Sequence, residues 1–224
     1  MKELGQFKEE IHIKLKPDAR PFVQAVPRAV PIPLLGKLEA ELNRLQELGI
    51  IEPVEQTTEW VAPIVCVPKE NGEIRLCCDY TRLNKNVERP YFPIQNIQYT
   101  LSKVKDAEFF SKIDIKKSFH QLKLTEDSQL LTTFICPFGR FKYTRLPFGL
   151  NCSTEYFLTK FSKILKGLNV IFHVDDILIF EKTMEAHDKT LRLVLDRLAK
   201  EGLTVNEDKC QIGVRKIKFW VLSC

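Results

Sequence analysis

Three stretches of the chain carry apolar residues at every third or fourth position, which is the spacing of an amphipathic helix. The first stripe is followed by Gly49 and predicts a helix over residues 37–48. The second follows Ser153 and Thr154, which can cap a helix, and the third ends at Gly202. The apolar positions are Leu38, Leu42 and Leu45; Phe157, Phe161, Ile164, Leu165 and Leu168; and Leu191, Val194, Leu195 and Leu198. We therefore expect three helices, each burying one face.

Shorter apolar runs between these stripes predict strands. VAPIVCVP and EIRLCCDY predict two strands joined around Asn71 and Gly72, which form a strong hairpin-turn signal. FICPFGRFKYTRLPFG predicts a second hairpin, closed near Phe138 and Gly139. EFFSKIDIKKSFHQLKL predicts a strand through Asp114 followed by a helical turn, and the end of the chain returns to strand. Helices alternating with antiparallel hairpins indicate an α+β fold.

Two adjacent acids interrupt the apolar stretch VIFHVDDILIFEK, residues 170–182. An ionised carboxylate is costly to bury without a partner, so Asp175 and Asp176 need a physical reason. A tight turn is one reason, because Asp tolerates turn dihedrals. A metal site at the tip of a hairpin is another, and this segment alone leaves both open. Asp114 lies between Ile113 and Ile115 and points to the face opposite its apolar neighbours.

Composition sets broad limits on the protein. With 224 residues, 44% of them hydrophobic, the chain can bury a sizeable core as one large domain or two interleaved subdomains. The net charge of +5 and several lysine clusters are compatible with phosphate contacts. Residues 1–35 are rich in proline and include PRAVPIP, so we expect an extended segment that lies along the rest of the protein.

The cysteine spacing and the N-terminal sequence indicate in which compartment the protein resides. The seven cysteines are an odd number and none is paired in a C-x-x-C spacing, which favours a reduced, intracellular chain. The charged start MKELGQFKEE lacks the apolar centre of a signal peptide, and no apolar run approaches the ~20 residues that span a bilayer. We therefore expect no membrane function.

The segments RLCCDYTRLN, DIKKSFHQ, RLPFGL and HVDDILIF occur in an order and spacing that resemble a reverse transcriptase. The resemblance covers residues 4–219 and is greatest to gypsy-type LTR retrotransposons, more distantly to retroviruses, whose Pol polyproteins carry this domain. It implies a right-hand polymerase fold with fingers and palm. Family members continue beyond a residue such as Phe219 into a thumb, which we expect this chain to lack. The implied division is an extended segment at 1–35, fingers at 36–88 and 121–150, and palm at 89–120 and 151–224.

The resemblance implies RNA-directed DNA polymerase activity, the transfer of deoxynucleotides to a primer 3′-hydroxyl on an RNA or DNA template. Such transfer needs two divalent ions, Mg²⁺ with Mn²⁺ as a substitute. Asp114 and Asp175 would bridge the ions, Asp176 would support the primer-side ion, and the carbonyl of Ile115 would be a further ligand. The implied partners are an RNA template, a DNA primer and deoxynucleoside triphosphates, in the nucleus or in a cytoplasmic virus-like particle.

Four further positions match nucleotide-binding residues of the family. Arg75 corresponds to an arginine that binds the triphosphate, and Lys69 to its companion lysine; exposed hairpin charge is the alternative for both. Phe119 stands where an aromatic ring beneath the sugar excludes a 2′-hydroxyl, although an aromatic residue beside a strand is also ordinary core. Phe148 matches a residue near the nucleotide, with core packing as the alternative.

The chain departs from the family pattern at several positions. His173 stands where the family has Tyr, Ser118 where related elements have Gly, and Thr154 where many have Pro. After Phe219, the tail WVLSC replaces an expected Leu-Gly-His. Codons for Leu-Gly-His-Val-Leu-Ser, read one base late, give Trp-Val-Met-Ser-Cys. This sequence agrees with the tail WVLSC at four of five positions, so we expect that a one-base deletion has shifted the reading frame. Two alternatives stay open: an inactive, truncated remnant that at most binds nucleic acid, and another two-metal enzyme such as a nuclease.

Overall fold

The computed structural model describes residues 4–69, 72–92, 102, 104–219 and 222–223. In this part the helices α1–α5 are Ile32–Glu47, Thr81–Asn86, Glu126–Leu131, Ser153–Ile164 and Met184–Lys200. The strands β1–β12 are Phe22–Val23, Ile51–Pro53, Trp60–Pro68, Ile74–Cys78, Phe109–Asp114, Phe134–Cys136, Gly139–Tyr143, Val170–His173, Asp176–Glu181, Gln211–Val214, Lys218–Phe219 and Leu222–Ser223. Short 3-10 turns occupy Ser118–Gln121 and Glu207–Lys209.

The chain divides into two compact units, each built from separate segments. Unit 1 comprises Met1–Lys8, Tyr91–Gln121 and Thr154–Cys224, and unit 2 comprises Glu9–Pro90 and Leu122–Ser153. The residues that follow the 1–35 boundary therefore share unit 2 with most of the proline-rich segment. The assignment of fingers and palm to particular segments stays a prediction.

Unit 2 is organised around a six-stranded sheet in the order β1-β3-β6-β7-β2, with β4 paired to β3. The two predicted hairpins are both present: β3 and β4 are antiparallel, and so are β6 and β7. Gly139 closes the second hairpin with a φ of +121°, which a residue with a side chain rarely adopts. In the first hairpin, Asn71 lies outside the described residues, and Gly72 has a φ of +81°.

Helix α1 begins earlier than the sequence predicts. It starts at Ile32 rather than residue 37, and a proline occupies its first turn. Proline is tolerated there because the first N–H groups of a helix have no partner within the helix. The predicted face is confirmed, since Leu38, Leu42 and Leu45 are all buried. The extended N-terminal segment is therefore shorter than 35 residues.

Unit 1 contains an antiparallel sheet in the order β10-β5-β9-β8. Helix α5 packs against β9 and β5. Val194 and Leu198 of that helix are buried, but Leu195 is 37% exposed, so the predicted apolar stripe is one residue too wide. Buried apolar residues of these strands and of neighbouring segments form a cluster that contains Val104, Phe110, Ile171, Leu178, Phe180, Ile217 and Phe219.

Helix α4 carries the predicted aromatic face, with Phe157 and Phe161 buried. Ser153 does not precede this helix but is its first residue, and its hydroxyl donates to the carbonyl of Pro147 at 2.9 Å. Of the tail after Phe219, Trp220, Val221 and Cys224 lie outside the described residues. The expectation of a frameshift there stays a prediction.

The described helices include none that is both long and apolar enough to cross a bilayer. The six cysteines of the described part are all free thiols: Cys66, Cys77, Cys78, Cys136, Cys152 and Cys210.

Candidate active site

Asp114 and Asp176 lie opposite each other on neighbouring antiparallel strands of unit 1. Asp114 ends β5, Asp176 begins β9, and their Cα atoms are register partners. Side chains at directly opposed positions of an antiparallel pair project to the same face of the sheet. His173, the last residue of β8, is the partner of Asp176 on its other side and is exposed. The β8–β9 turn consists of Val174 and Asp175, so all three aspartates adjoin one end of the sheet.

Backbone hydrogen bonds fix the end of β5 on both sides. The Ile115 N–H donates to the carbonyl of Asp175 at 2.7 Å, which joins the strand to the turn. The Asn206 N–H donates to the carbonyl of Asp114 at 2.8 Å. Ile115 itself is buried. The aspartates are thus carried by a backbone held through hydrogen bonds rather than by a free loop.

The carboxyl of Asp175 is in an environment short of positive charge. Burial raises its pKa above the ordinary value, and the neighbouring carboxylates of Asp114 and Asp176 raise it further. A hydrogen bond donated by the Ser118 hydroxyl to Oδ1 and the charge of Lys209 both act to lower this pKa, but the raising effects dominate. A cation bound among the three carboxylates would relieve their mutual repulsion.

One cation of the protein already contacts this group. Lys112 is two residues before Asp114 on β5, and its Nζ lies 2.7 Å from Oδ2 of Asp176. Both side chains are largely buried, with about a quarter of each exposed. Residues two apart on a strand share a face, so the alternation along β5 places Lys112 beside Asp114.

The described residues contain no group of three or more His, Cys, Asp or Glu side chains arranged to hold a metal ion. The donor chemistry still suits Mg²⁺, which is a hard cation that takes carboxylate oxygens. Mg²⁺ also keeps several waters or substrate phosphates and uses only one or two protein carboxylates. Two adjoining aspartates at one end of the sheet, each partly exposed, therefore fit this ion, whereas a closed protein cage is absent from the described part. The role of the aspartates as ligands stays a prediction.

Phe119 belongs to the 3-10 turn that follows β5 and is 6% exposed. Its ring packs edge-on against Phe157 of α4, with ring centroids 5.7 Å apart. Phe157 stacks in turn on Phe161 at 4.1 Å. These contacts favour the core alternative for most of the ring. Its role beneath a nucleotide sugar stays a prediction.

Lys69, Arg75 and Phe148 belong to unit 2, whereas the aspartates belong to unit 1. Arg75 is exposed on β4 opposite Val67, and no carboxylate of the described residues pairs with it. The Nζ of Lys69 lies 3.0 Å from Oε2 of Glu73, so its charge is partly neutralised. Phe148 is 52% exposed, which excludes simple core packing for this side chain.

Sequence reasoning assigned no role to several residues of the site. Lys112 belongs to one of the lysine clusters of the sequence, and the alternation along β5 places it on the face of Asp114. The Lys209 side chain and the backbone N–H of Asn206 carried no such signal, since both residues follow the aspartates by a long stretch of chain. Ser118 stood out only as a departure from the family pattern, whereas the structure gives its hydroxyl a partner in Asp175.

The sequence pattern of the family described as reverse transcriptase, RNA-dependent DNA polymerase, matches residues 67–222. The chain belongs to the reverse transcriptase family. An uncharacterised protein of Caenorhabditis elegans is 33% identical over 216 residues, which is 95% of this chain and 17% of that protein. The transposon Tf2-3 polyprotein of Schizosaccharomyces pombe is 32% identical over 198 residues, or 86% of this chain and 15% of the polyprotein. This reverse transcriptase domain thus spans less than a fifth of each of these relatives.

Solved structures of a foamy viral protease-reverse transcriptase share this fold. The complex with an RNA/DNA hybrid superposes with a TM-score of 0.85 at 25% identity, covering 99% of this chain and 30% of the viral chain. A form in complex with double-stranded DNA superposes with a TM-score of 0.81 at 24% identity, covering 99% and 39%. The mixed fold of helices and antiparallel sheet is therefore the fingers-and-palm fold, and the predicted fold class is confirmed.

Proposed function

We propose that this chain is the fingers-and-palm part of an RNA-directed DNA polymerase from a gypsy-type LTR retrotransposon. It would transfer deoxynucleotides to a primer 3′-hydroxyl. The main support is the pairing of Asp114 with Asp176 across two strands, with Asp175 in the adjoining turn. Three acids at one sheet end are costly unless a cation joins them, and phosphoryl transfer through divalent ions needs such a group.

Two Mg²⁺ ions, or Mn²⁺ in their place, would be held by Asp114, Asp175, Asp176 and the Ile115 carbonyl. When bound, the ions activate the primer hydroxyl and stabilise the leaving pyrophosphate. The protein's own part is to keep the ligands in place. The Ile115 N–H holds the turn against β5, and the Ser118 hydroxyl orients one oxygen of Asp175. The Lys112 ammonium orients the carboxylate of Asp176.

Four side chains at positions that match the family's nucleotide-binding residues would bind the incoming nucleotide. Arg75 is the better candidate for the triphosphate, because its guanidinium is exposed and a fixed fork of donors matches phosphate oxygens. Lys69 would first have to leave Glu73. The exposed ring of Phe148 would pack against the nucleotide, and the edge of Phe119 would face the sugar.

The proposed substrates are an RNA template, a DNA primer and deoxynucleoside triphosphates, by analogy with the foamy viral enzyme solved with an RNA/DNA hybrid. In this proposal unit 2 forms the fingers and unit 1 the palm. The six free cysteines of the described part support a reducing, intracellular setting.

Primer extension on an RNA template with Mg²⁺ and deoxynucleotides tests the proposal. The Asp175→Asn variant should abolish extension, because it removes a charge from the acid group. Asp106→Asn is the matched control, since Asp106 is an exposed acid of the same unit with only a surface ion pair to Lys182. Wild type and the Asp106 variant should extend equally.

Two other results would contradict the proposal. If wild type extends as poorly as the Asp175 variant while both bind the template, the chain is an inactive remnant. If wild type cleaves the template without extending the primer, the acid group belongs to a nuclease.

A further inference from the structure

Gln121 is a fully buried polar side chain of unit 1 that the proposed chemistry does not use. Its Nε2 donates to the carbonyls of Lys116 and Thr204, the latter at 2.8 Å. Its Oε1 accepts from the Thr204 N–H at 2.8 Å. Both amide protons and the amide oxygen are therefore engaged, all with backbone groups.

These three hydrogen bonds of the Gln121 side chain connect the two ends of a loop, and we call them together the clasp. Lys116 begins the loop of residues 116–121 and Gln121 ends it, so one amide ties the two ends together. Thr204 belongs to a segment that continues along β5, because Ile115 and Val205 are bridge partners. The Lys116 N–H donates to the Thr204 carbonyl at 3.2 Å in the same ladder.

The clasped loop carries two side chains of the candidate site. Ser118 donates to Asp175, and Phe119 packs against Phe157. Lys117 lies between these residues and the start of the loop with a φ of +45°, which is rare for a residue with a side chain. Such a conformation persists only where the surroundings fix it.

The N-terminal segment covers the amide. The Phe7 N–H donates to the Gln121 carbonyl at 2.8 Å, and the Gly5 N–H donates to Oγ1 of Thr204 at 3.2 Å. A Cβ added to Gly5 would lie 2.2 Å from Oε1 of Gln121, so only glycine allows this approach. Water has little access here, and loss of the amide would remove one hydrogen bond from each of the Lys116 and Thr204 carbonyls and from the Thr204 N–H.

We propose that Gln121 is a positioning residue that fixes the 116–121 loop and so controls how strictly the site selects deoxynucleotides. This rests on the proposed function. The ring of Phe119 excludes a 2′-hydroxyl only if its backbone cannot retreat, and the Gln121 amide holds that backbone. Loosening the clasp lets the ring move without altering any metal ligand.

Two substitutions test the proposal. Gln121→Met keeps the length of the side chain and removes every hydrogen bond. Gln121→Glu keeps the acceptor for the Thr204 N–H and removes both donors. Gln129→Met is the matched control, because Gln129 is also buried and donates to a backbone carbonyl, that of Leu124 at 3.0 Å, but belongs to unit 2.

Hydrogen–deuterium exchange measures the clasp without requiring activity. Both Gln121 variants should exchange faster over residues 116–121 and at Thr204, and the Gln129 variant should not. Unchanged exchange in a folded Gln121 variant overturns the positioning role. If Gln121→Met does not fold, the exchange rates of Gln121→Glu decide whether Gln121 positions the loop.

Incorporation kinetics measure the consequence. The ratio of kcat/KM for a deoxynucleotide over the matching ribonucleotide should fall about tenfold or more in the Gln121 variants, and remain unchanged in the Gln129 variant. Faster exchange with an unchanged ratio overturns the selectivity role. If wild type does not extend primers, the proposed function fails by itself, and the exchange experiment still decides whether Gln121 positions the loop.

Discussion

The Nζ of Lys112 lies 2.7 Å from Oδ2 of Asp176, so one ammonium group neutralises a carboxylate of the candidate metal site. Without this ammonium, Asp114, Asp175 and Asp176 would repel one another more strongly, and a divalent cation would relieve more of that repulsion. In Lys112→Met we therefore expect Mg²⁺ to raise the Tm by about 2–4 °C more than it does in wild type. Thermal unfolding with and without Mg²⁺ measures the difference.

Lys182→Met is the control for this prediction. Lys182 also forms an ion pair with an aspartate of unit 1, but about 70% of both Lys182 and Asp106 is exposed. A surface pair contributes little, so its loss should leave the Mg²⁺ response as it is. Equal responses in Lys112→Met and wild type would show that Lys112 and the cation do not share the same carboxylates.

The turn between β8 and β9 contains a strained residue. Val174 has a φ of +48°, a left-handed conformation that is an outlier for a β-branched side chain. Asn tolerates this conformation, whereas for most residues it costs roughly 1–2 kcal/mol. We expect Val174→Asn to increase the free energy of unfolding by about 1 kcal/mol.

Urea unfolding of Val174→Asn and Val174→Ala measures the strain. Ala lacks the branch at Cβ but still disfavours a positive φ. Val174→Ala should therefore increase the free energy of unfolding by less than Val174→Asn does. An Asn variant no more stable than wild type would mean that the turn does not store strain at this position.

The sequence predicted which face of a helix or strand is buried better than it predicted where the element begins or which residues it contacts. The leucine stripe of α1 identified the buried side correctly, because burial follows the helical period. The start of α1 was wrong because a proline in the first turn is compatible with both an extended segment and a helix. The alternation around Ile113, Asp114 and Ile115 predicted an acid on the face opposite two buried residues, as the structure has it.

Long-range pairing was beyond the sequence pattern. The register that opposes Asp114 and Asp176 depends on which strands pair, and only the family resemblance implied that these acids hold the same ions. Gln121 shows the limit most clearly. A glutamine after a helical turn indicates a solvated surface, but its amide partner Thr204 is 83 residues further along the chain.

A buried polar contact fastens helix α5 to the sheet of unit 1. The hydroxyl of Ser111 on β5 lies 2.8 Å from Nε2 of His187, and it accepts the Gly213 N–H of β10 at 2.9 Å. Ser111 and His187 are both fully buried. Ser111→Ala leaves two groups without partners, so we expect a loss of about 1–3 kcal/mol in the free energy of unfolding.

A double-mutant cycle tests whether the two side chains act together. In His187→Leu the ring is already gone, so adding Ser111→Ala should cost less than it does in wild type. The coupling between the two substitutions should be about 0.5–3 kcal/mol, measured by urea unfolding. Strictly additive effects would contradict a direct contribution of this hydrogen bond.

Alkaline pH should destabilise unit 2 through three buried acids of its core. Burial raises the pKa of Cys78 from an ordinary 9.0 to about 12. Burial likewise raises the pKa of Tyr80 and that of Tyr143 well above 10.0. In each case the fold favours the protonated form, so the stabilisation is complete below the unfolded pKa and is lost as pH rises towards the folded pKa.

We therefore expect the free energy of unfolding to fall between pH 9 and pH 12, by about 1.4 kcal/mol per pH unit for each group that ionises only on unfolding. Urea unfolding at a series of pH values gives the slope. Cys78→Ala should make this slope shallower at the lower end of the range, and Tyr143→Phe should make it shallower above pH 10. Each variant lacks one group that ionises only when the protein unfolds. A slope unaffected by either substitution would show that the alkaline transition arises elsewhere in the protein.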